Sequence, residues 1–274
     1  MKLQRNLSNM LAQMNITKPG FSLAGPIALP ENEVQLWRVD LGAVGPEEAR
    51  WQQVLSEDER ARAARFHFSR DRQRYIASRA LLRVILATYL GAEPKELSFR
   101  YSEKEKPSLS GAHAAQNIEF NISHSGMAAL LAFTRGREVG VDVELIRHDF
   151  DVEGIAHRFF SEHERQELMA FAPEERHAAF FRCWTRKEAY VKATGAGLSL
   201  PLSQFDVSLA AGNVNALIAT RPDATEAERW CMREVPGGDG YAAALCVLGR
   251  GWRLRAWSEQ ERVSCSAVDD VQTP

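Results

Sequence analysis

Hydrophobic residues recur along this chain with two periods, and the switches between them mark out its elements. Over residues 34–41 apolar side chains sit two apart, at Trp37, Val39 and Leu41, which predicts a strand with one face in a core. Over residues 70–89 the spacing becomes three and four. Ile76, Leu81, Leu82, Ile85, Leu86 and Tyr89 then gather on one side of a helix that Gly91 ends. Ahead of it, Ser56 and Glu59 form a capping-box pair at the start of an arginine-rich helix with Arg60, Arg62 and Arg65. The stretch 97–101 and a loop at Lys106-Pro107 come next, followed by strands at 118–122, 127–133 and 139–145, with a turn at 135–137. A second helix over 177–193 stops at Gly195 and leads into 200–207.

The order of elements recurs. Gly126-Met127-Ala128-Ala129-Leu130-Leu131 is echoed by Gly240-Tyr241-Ala242-Ala243-Ala244-Leu245. Leu90-Gly91 before Leu97-Ser98-Phe99 is echoed by Thr194-Gly195 before Ser203-Gln204-Phe205. A period of about 110 residues is too long for a solenoid and suggests duplication of one α+β unit, with chance likeness of two α+β halves as the alternative. The division expected is a tail at 1–30, an N-terminal half at 31–139, a C-terminal half at 140–257 and a tail at 258–274.

Composition narrows the classes. The chain of 274 residues is 45% apolar and 26% charged, enough to bury a core without disulfides or metals. A formal charge of −2 argues against a protein that coats nucleic acid through its overall charge. Cys183, Cys231, Cys246 and Cys265 show no C-x-x-C pair and no zinc-like spacing, and their usage fits a reducing cytoplasm. No apolar run approaches the ~20 residues that span a bilayer. Residues 1–28 hold Lys2 and Arg5 but no continuous apolar core of a signal sequence, and read as a loosely held tail.

Three short constellations carry candidate chemistry. In Gly140-Val141-Asp142-Val143-Glu144, strand alternation aims Asp142 and Glu144 at one side and the valines at the other. Two such carboxylates repel unless a cation lies between them or water covers both. In Trp184-Thr185-Arg186-Lys187-Glu188-Ala189-Tyr190-Val191-Lys192, helical spacing puts Trp184, Glu188 and Lys192 on one face. Phe120-Asn121-Ile122-Ser123-His124-Ser125-Gly126 sets polar side chains between two apolar strands. Taken singly, these admit plainer readings: a solvated edge, a surface ion pair and a turn.

Together and in this order, the three blocks resemble the signature of the 4′-phosphopantetheinyl transferases. The length, the internal echo and the 72–83 segment resemble the larger, surfactin-synthetase type, over roughly residues 34–257. That resemblance implies two similar α+β halves related by a pseudo-two-fold axis, with coenzyme A in the cleft between them. It implies Mg²⁺ on Asp142, Glu144 and Glu188, the pyrophosphate on Lys192, and Ser123 and His124 near the coenzyme A phosphates, with Asp142 also beside that ligand. Phe159-Phe160-Ser161-Glu162-His163-Glu164 resembles the family block whose last glutamate, here Glu164, is the proposed base. Lys106-Pro107 matches an element near the adenine, with Glu105 in place of its glycine. Arg62 and Arg74 fall where the 3′-phosphate is held, whereas Glu59 replaces a lysine of that set.

The activity so implied moves phosphopantetheine from coenzyme A to a serine of an apo acyl or peptidyl carrier protein. The enzyme is expected to be a cytoplasmic monomer with no nucleic acid or membrane as partner. Two rivals use the same residues: a binding module that transfers nothing, and a metal-dependent phosphodiesterase that passes the group to water.

Overall fold

The computed structural model describes residues 1–13, 25–42, 48–213 and 215–257. Its N-terminal part runs α1 (Lys2–Gln13), β1 (Glu33–Asp40), α2 (Glu48–Gln52), α3 (Glu57–Ala63), α4 (Ser69–Leu90), β2 (Ser98–Tyr101), β3 (Pro107–Ser110), β4 (Ile118–Ser125) and β5 (Ala128–Arg135). It continues through β6 (Val139–Leu145), α5 (Val152–Phe159), α6 (Glu162–Ala170), α7 (Arg176–Thr194), β7 (Phe205–Val207), β8 (Leu217–Thr220), β9 (Trp230–Glu234), β10 (Tyr241–Leu248) and β11 (Arg253–Trp257). One sheet has the order β11-β1-β5-β4 and the other β6-β10-β9, with β2-β3 and β7-β8 as separate ribbons.

Strand alternation assembles these pieces into layers. On β5, Ala129, Leu131 and Phe133 pack with α4, while Ala128, Leu130 and Ala132 face the second sheet. That sheet answers with Val139, Val141 and Val143 of β6 and Ala243, Leu245 and Val247 of β10. Its opposite face, through Ala242, Ala244 and Cys246, packs on α7. The order is therefore helix, sheet, sheet, helix. The echo in sequence is one residue out of register with this repeat. Ala128 faces the inter-sheet core, but its counterpart Ala242 faces a helix, so by face it is Ala129 that corresponds to Ala242.

A second correspondence has firmer physical content. Glu59 opens α3 in a capping box with Ser56 and is 1% exposed; it ion-pairs with Arg79 and Arg83 of α4 at 2.7 and 2.6 Å. Glu164 opens α6 in a capping box with Ser161 and is 0% exposed; it pairs with Lys187 of α7 at 2.7 Å. Each half thus pins a short helix to its long one through a buried carboxylate. The first pin changes the expectation for α4. Its residues from Ile76 to Tyr89 are buried all round, because Glu59 neutralises the arginines on the side opposite the apolar stripe.

Two boundaries differ from the expected ones. Residues 2–13 of the supposed tail form a helix, with Leu7 and Leu11 buried against α4, while 14–24 lie outside the described residues. Leu3, Leu7 and Leu11 are four apart, a stripe that the intervening asparagines and glutamines mask. At the other end, β11 pairs in parallel with β1, and Trp257 stacks on Trp37 at 4.7 Å. Residues 253–257 therefore belong to the sheet of the first half, and the expected tail at 258–274 lies outside the described residues.

Gly140 decides how closely α7 approaches β6. A Cβ there would lie 2.1 Å from the Ala189 carbonyl oxygen and 2.3 Å from the Ala193 nitrogen, both backbone atoms of the helix. Gly140→Ala must lift α7 off the strand, and the expected loss is about 3 kcal/mol, the upper end for overpacking. Urea unfolding followed by circular dichroism measures it. A loss below about 1 kcal/mol would mean that the helix moves freely at this contact.

Candidate active site

β6 is the edge of its sheet, and its free edge faces β4, the edge of the other sheet. Side chains join the two. Asn121 accepts the Val141 N–H at 3.0 Å, the Ser123 hydroxyl donates to Asp142 Oδ1 at 2.7 Å, and the Ser125 hydroxyl donates to Glu144 Oε2 at 2.6 Å. Ser125 also accepts the Leu145 N–H at 3.2 Å. Residues 121, 123 and 125 share one face of β4 because they are two apart, and they meet 142 and 144 for the same reason. Asn121 and Ser125 are site residues that the motif reading missed. The signal was the period of two in polar side chains, legible once β4 is taken to extend to Ser125.

From the other side comes α7, closed by Gly195 at φ 69°. Lys192 Nζ lies 2.5 Å from Asp142 Oδ1 and 3.0 Å from Ser123 Oγ. Asp142 is 3% exposed, and its Oδ2 is buried without a hydrogen-bond partner. Burial pushes the Glu188 carboxyl up, and the charge of Asp142, then Glu144, adds to this against the pull of Lys192. Burial likewise pushes Glu144 up, opposed by the Ser125 hydroxyl and assisted by Asp142. Three carboxylates therefore share one ammonium. Among the described residues no three His, Cys, Asp or Glu side chains are drawn together tightly enough to hold a metal ion, and the cation on Asp142 is Lys192. The donor set still suits a hard divalent ion. It is all oxygen, one oxygen is buried and unpaired, and negative charge exceeds positive.

The remaining predicted residues divide into two groups. At the rim, His124 leaves the opposite face of β4 from Ser123, open to solvent on one side. Loss of water around the ring pulls its pKa down, and Lys192 and Arg74 assist. Arg74 lies against Met127 Sδ at 3.8 Å. Arg62 pairs with Glu105 at 3.3 Å. Glu105 takes φ 61°, so a glutamate holds the left-handed conformation for which glycine is suited, at a cost of about 1 kcal/mol. Pro107 pairs with Tyr101 in the β2–β3 ribbon, and Lys106 bonds to Glu138 and to the Ala193 carbonyl.

Two roles need correction. Ser123 is not free to donate to a phosphate, since its one proton goes to Asp142. Glu164 is not a base within reach of substrate. Its oxygens accept the Ser161 and Val207 N–H groups and face Lys187, with no exposed surface. Its place in the block reflects the capping box, just as Glu59 is a pin rather than a failed phosphate ligand.

A buried aspartate and a half-buried glutamate on a strand edge, answered by a glutamate and a lysine on a helix and rimmed by cations, form an arrangement chemically suited to a phosphate-bearing ligand. Comparison with known proteins agrees. The 4′-phosphopantetheinyl transferase superfamily matches residues 138–246, and the N-terminal family of 4′-phosphopantetheinyl transferases matches residues 45–135. The 4′-phosphopantetheinyl transferase HetI of Nostoc sp. is 38% identical over 232 residues, 84% of this chain and 94% of that protein. The 4′-phosphopantetheinyl transferase Sfp of Bacillus subtilis is 32% identical over 60% of this chain and 70% of its own length. The human L-aminoadipate-semialdehyde dehydrogenase-phosphopantetheinyl transferase is 29% identical over 80% of this chain and 76% of its own length. The chain belongs to the 4′-phosphopantetheinyl transferase superfamily.

Glu164→Gln is expected to cost about 3 kcal/mol, as breaking a buried pair does, while turnover per folded molecule stays at the wild-type level. Denaturant unfolding beside active-site-normalised kinetics reads both. A stable variant without turnover would restore Glu164 as the base. A second expectation concerns pH. Folding raises the pKa of Glu144 and Glu188, so the folded protein keeps protons that the unfolded chain has released. In chelator, stability should therefore fall as pH rises from the ordinary carboxylate range through the raised values. Calorimetry should show a shallower fall for Glu188→Gln. Equal slopes would mean that folding does not raise the Glu188 carboxyl.

Proposed function

We propose that the protein transfers the 4′-phosphopantetheine group of coenzyme A to a serine of an apo acyl or peptidyl carrier protein, releasing adenosine 3′,5′-bisphosphate. The observation that carries this reading is the Asp142–Lys192 contact at 2.5 Å, with Glu144 and Glu188 beside it, in a member of this superfamily. Asp142, Glu144 and Glu188 would hold Mg²⁺. When bound, that ion screens the pyrophosphate charge and favours in-line displacement at the β-phosphate.

The chain's own residues divide the remaining work. Lys192 exchanges Asp142 for a pyrophosphate oxygen, a step favoured because phosphate brings more charge than one carboxylate oxygen. Ser123 and Ser125 hold Asp142 and Glu144 in place throughout, each through its single hydroxyl proton. His124, with its pKa pulled down, offers a neutral ring N–H at the rim. Arg74 and Arg62 meet the 3′-phosphate, Arg62 by leaving an exposed pair with Glu105 that is worth little. The attacking hydroxyl belongs to the carrier serine.

The same reading makes the protein a cytoplasmic monomer. Both halves of the fold lie in one chain, Cys183, Cys231 and Cys246 are free thiols, and no helix among the described residues is long and apolar enough to cross a membrane.

Incubation with coenzyme A, Mg²⁺ and a panel of apo carrier proteins tests the proposal by mass spectrometry. One carrier should gain the mass of a phosphopantetheine group. Asp142→Ala and Glu188→Gln should each slow transfer by about 10²-fold or more. Release of phosphopantetheine without any carrier would favour a phosphodiesterase, and near-normal transfer by Asp142→Ala would overturn the site.

A further inference from the structure

The β2–β3 ribbon belongs to the first half, yet its tip grips the end of the helix that carries Glu188 and Lys192. The tip is a tight reversal. The Ser102 N–H donates to the Lys106 carbonyl at 3.0 Å and the Glu105 N–H to the Ser102 carbonyl at 2.9 Å, while the Ser102 hydroxyl accepts the Lys106 N–H at 3.1 Å. Glu105 closes the reversal in the left-handed region, at φ 61°. A reversal tied at so many points aims the next side chain, that of Lys106, in one direction.

That direction is the C-terminus of α7. Lys106 Nζ donates to the Ala193 carbonyl at 3.0 Å and to Glu138 Oε2 at 3.1 Å, and its side chain is 17% exposed. Ala193 is among the last residues of α7, whose final carbonyls have no partner within the helix. A cation there is favoured by the helix dipole as well as by the hydrogen bond. Glu138 immediately precedes β6, which carries Asp142 and Glu144. Glu119 of β4 adds a second carboxylate near Lys106; burial and then Glu138 push its carboxyl up, and Lys106 opposes them. Packing follows the same line: a Cβ on Gly195 would lie 3.8 Å from Lys106 Cδ, and one on Gly197 would lie 3.3 Å from Lys104 Cβ.

We infer that Lys106 is a positioning residue: it clasps the end of α7 to the start of β6, and so holds Glu188 and Lys192 over Asp142 and Glu144. The ammonium is committed to Glu138 and to the Ala193 carbonyl at the negative end of a helix, with the charge of Glu119 nearby. A bound nucleotide would have to compete with all of them, so the side chain acts on the ligand through α7 rather than by touching it. The clasp joins the two halves, since the reversal is built in the first and the helix in the second.

The kinetic part of the test rests on the transfer activity proposed above, and the exchange part does not. Lys106→Met and Lys106→Arg are compared with wild type by hydrogen exchange over residues 190–200 and by steady-state kinetics with coenzyme A. Lys106→Met is expected to speed exchange of the last-turn amides by about tenfold, as local opening grows easier. It should lower kcat by about tenfold while KM for coenzyme A changes by less than about twofold. Lys106→Arg, which keeps the donor and the charge, should restore both. A raised KM with unchanged kcat would make Lys106 a ligand contact and overturn the inference, as would unaltered exchange in Lys106→Met. Absence of transfer by wild type would sink the functional reading alone, leaving exchange to decide the clasp.

Discussion

A carboxylate almost cut off from water has to be paired or it loses its charge, and Asp142 meets that constraint with help from both neighbouring elements. Ser123 reaches it from β4 and Lys192 from α7, so one side chain joins the edges of two sheets and a helix. The pairing requires α7 to lie directly on β6, which only a residue without a side chain at position 140 allows. It requires β4 and β6 to adjoin without a ladder of backbone bonds, which Asn121, Ser123 and Ser125 supply instead. Glu144 and Glu188 then stand beside a pair already in balance, and their carboxyls are raised first by burial and further by the neighbouring charge of Asp142.

Elsewhere the fold handles buried charge by a single device used twice. Glu59 and Glu164 each serve as third residue of a capping box and as partner of cations on a long helix. The arginines of the first pin and the lysine of the second differ in their further partners: Arg83 reaches the Pro94 and Leu97 carbonyls, and Lys187 those of Leu202 and Phe205. In each half the pin connects a short helix, a long helix and the segment that follows it. This is the feature that the two halves share most fully, whereas the apolar echo between β5 and β10 is offset by a residue. Of the two long helices, the one carrying Glu188 and Lys192 faces the carboxylates, and its counterpart α4 is packed all round.

Most elements were legible in sequence because they depend on local rules. Gly91 and Gly195 end their helices in the left-handed conformation, and Val141 and Val143 enter the core that strand alternation assigns them. The aim of Asp142 and Glu144 toward one side was legible for the same reason. Glu164 shows where a local rule went unused. Ser161-x-x-Glu164 is the same capping pattern as Ser56-x-x-Glu59, and reading it as such would have made the glutamate an N-terminal cap before it was a base. Other features were not local. No spacing rule announces that Lys106 crosses to the end of α7, that β11 returns to the first sheet, or that Ser123 turns from ligand to carboxylate. Those contacts join residues distant along the chain, and only the packed layers bring them together.

The most direct test is a crystal structure with coenzyme A and Mn²⁺, using the anomalous signal of manganese to place the ion. The expected result is one manganese bonded by Asp142, Glu144 and Glu188 and by the pyrophosphate, with Lys192 moved from Asp142 onto phosphate oxygen. Coenzyme A bound with Lys192 still on Asp142, and no anomalous peak beside the three carboxylates, would contradict it.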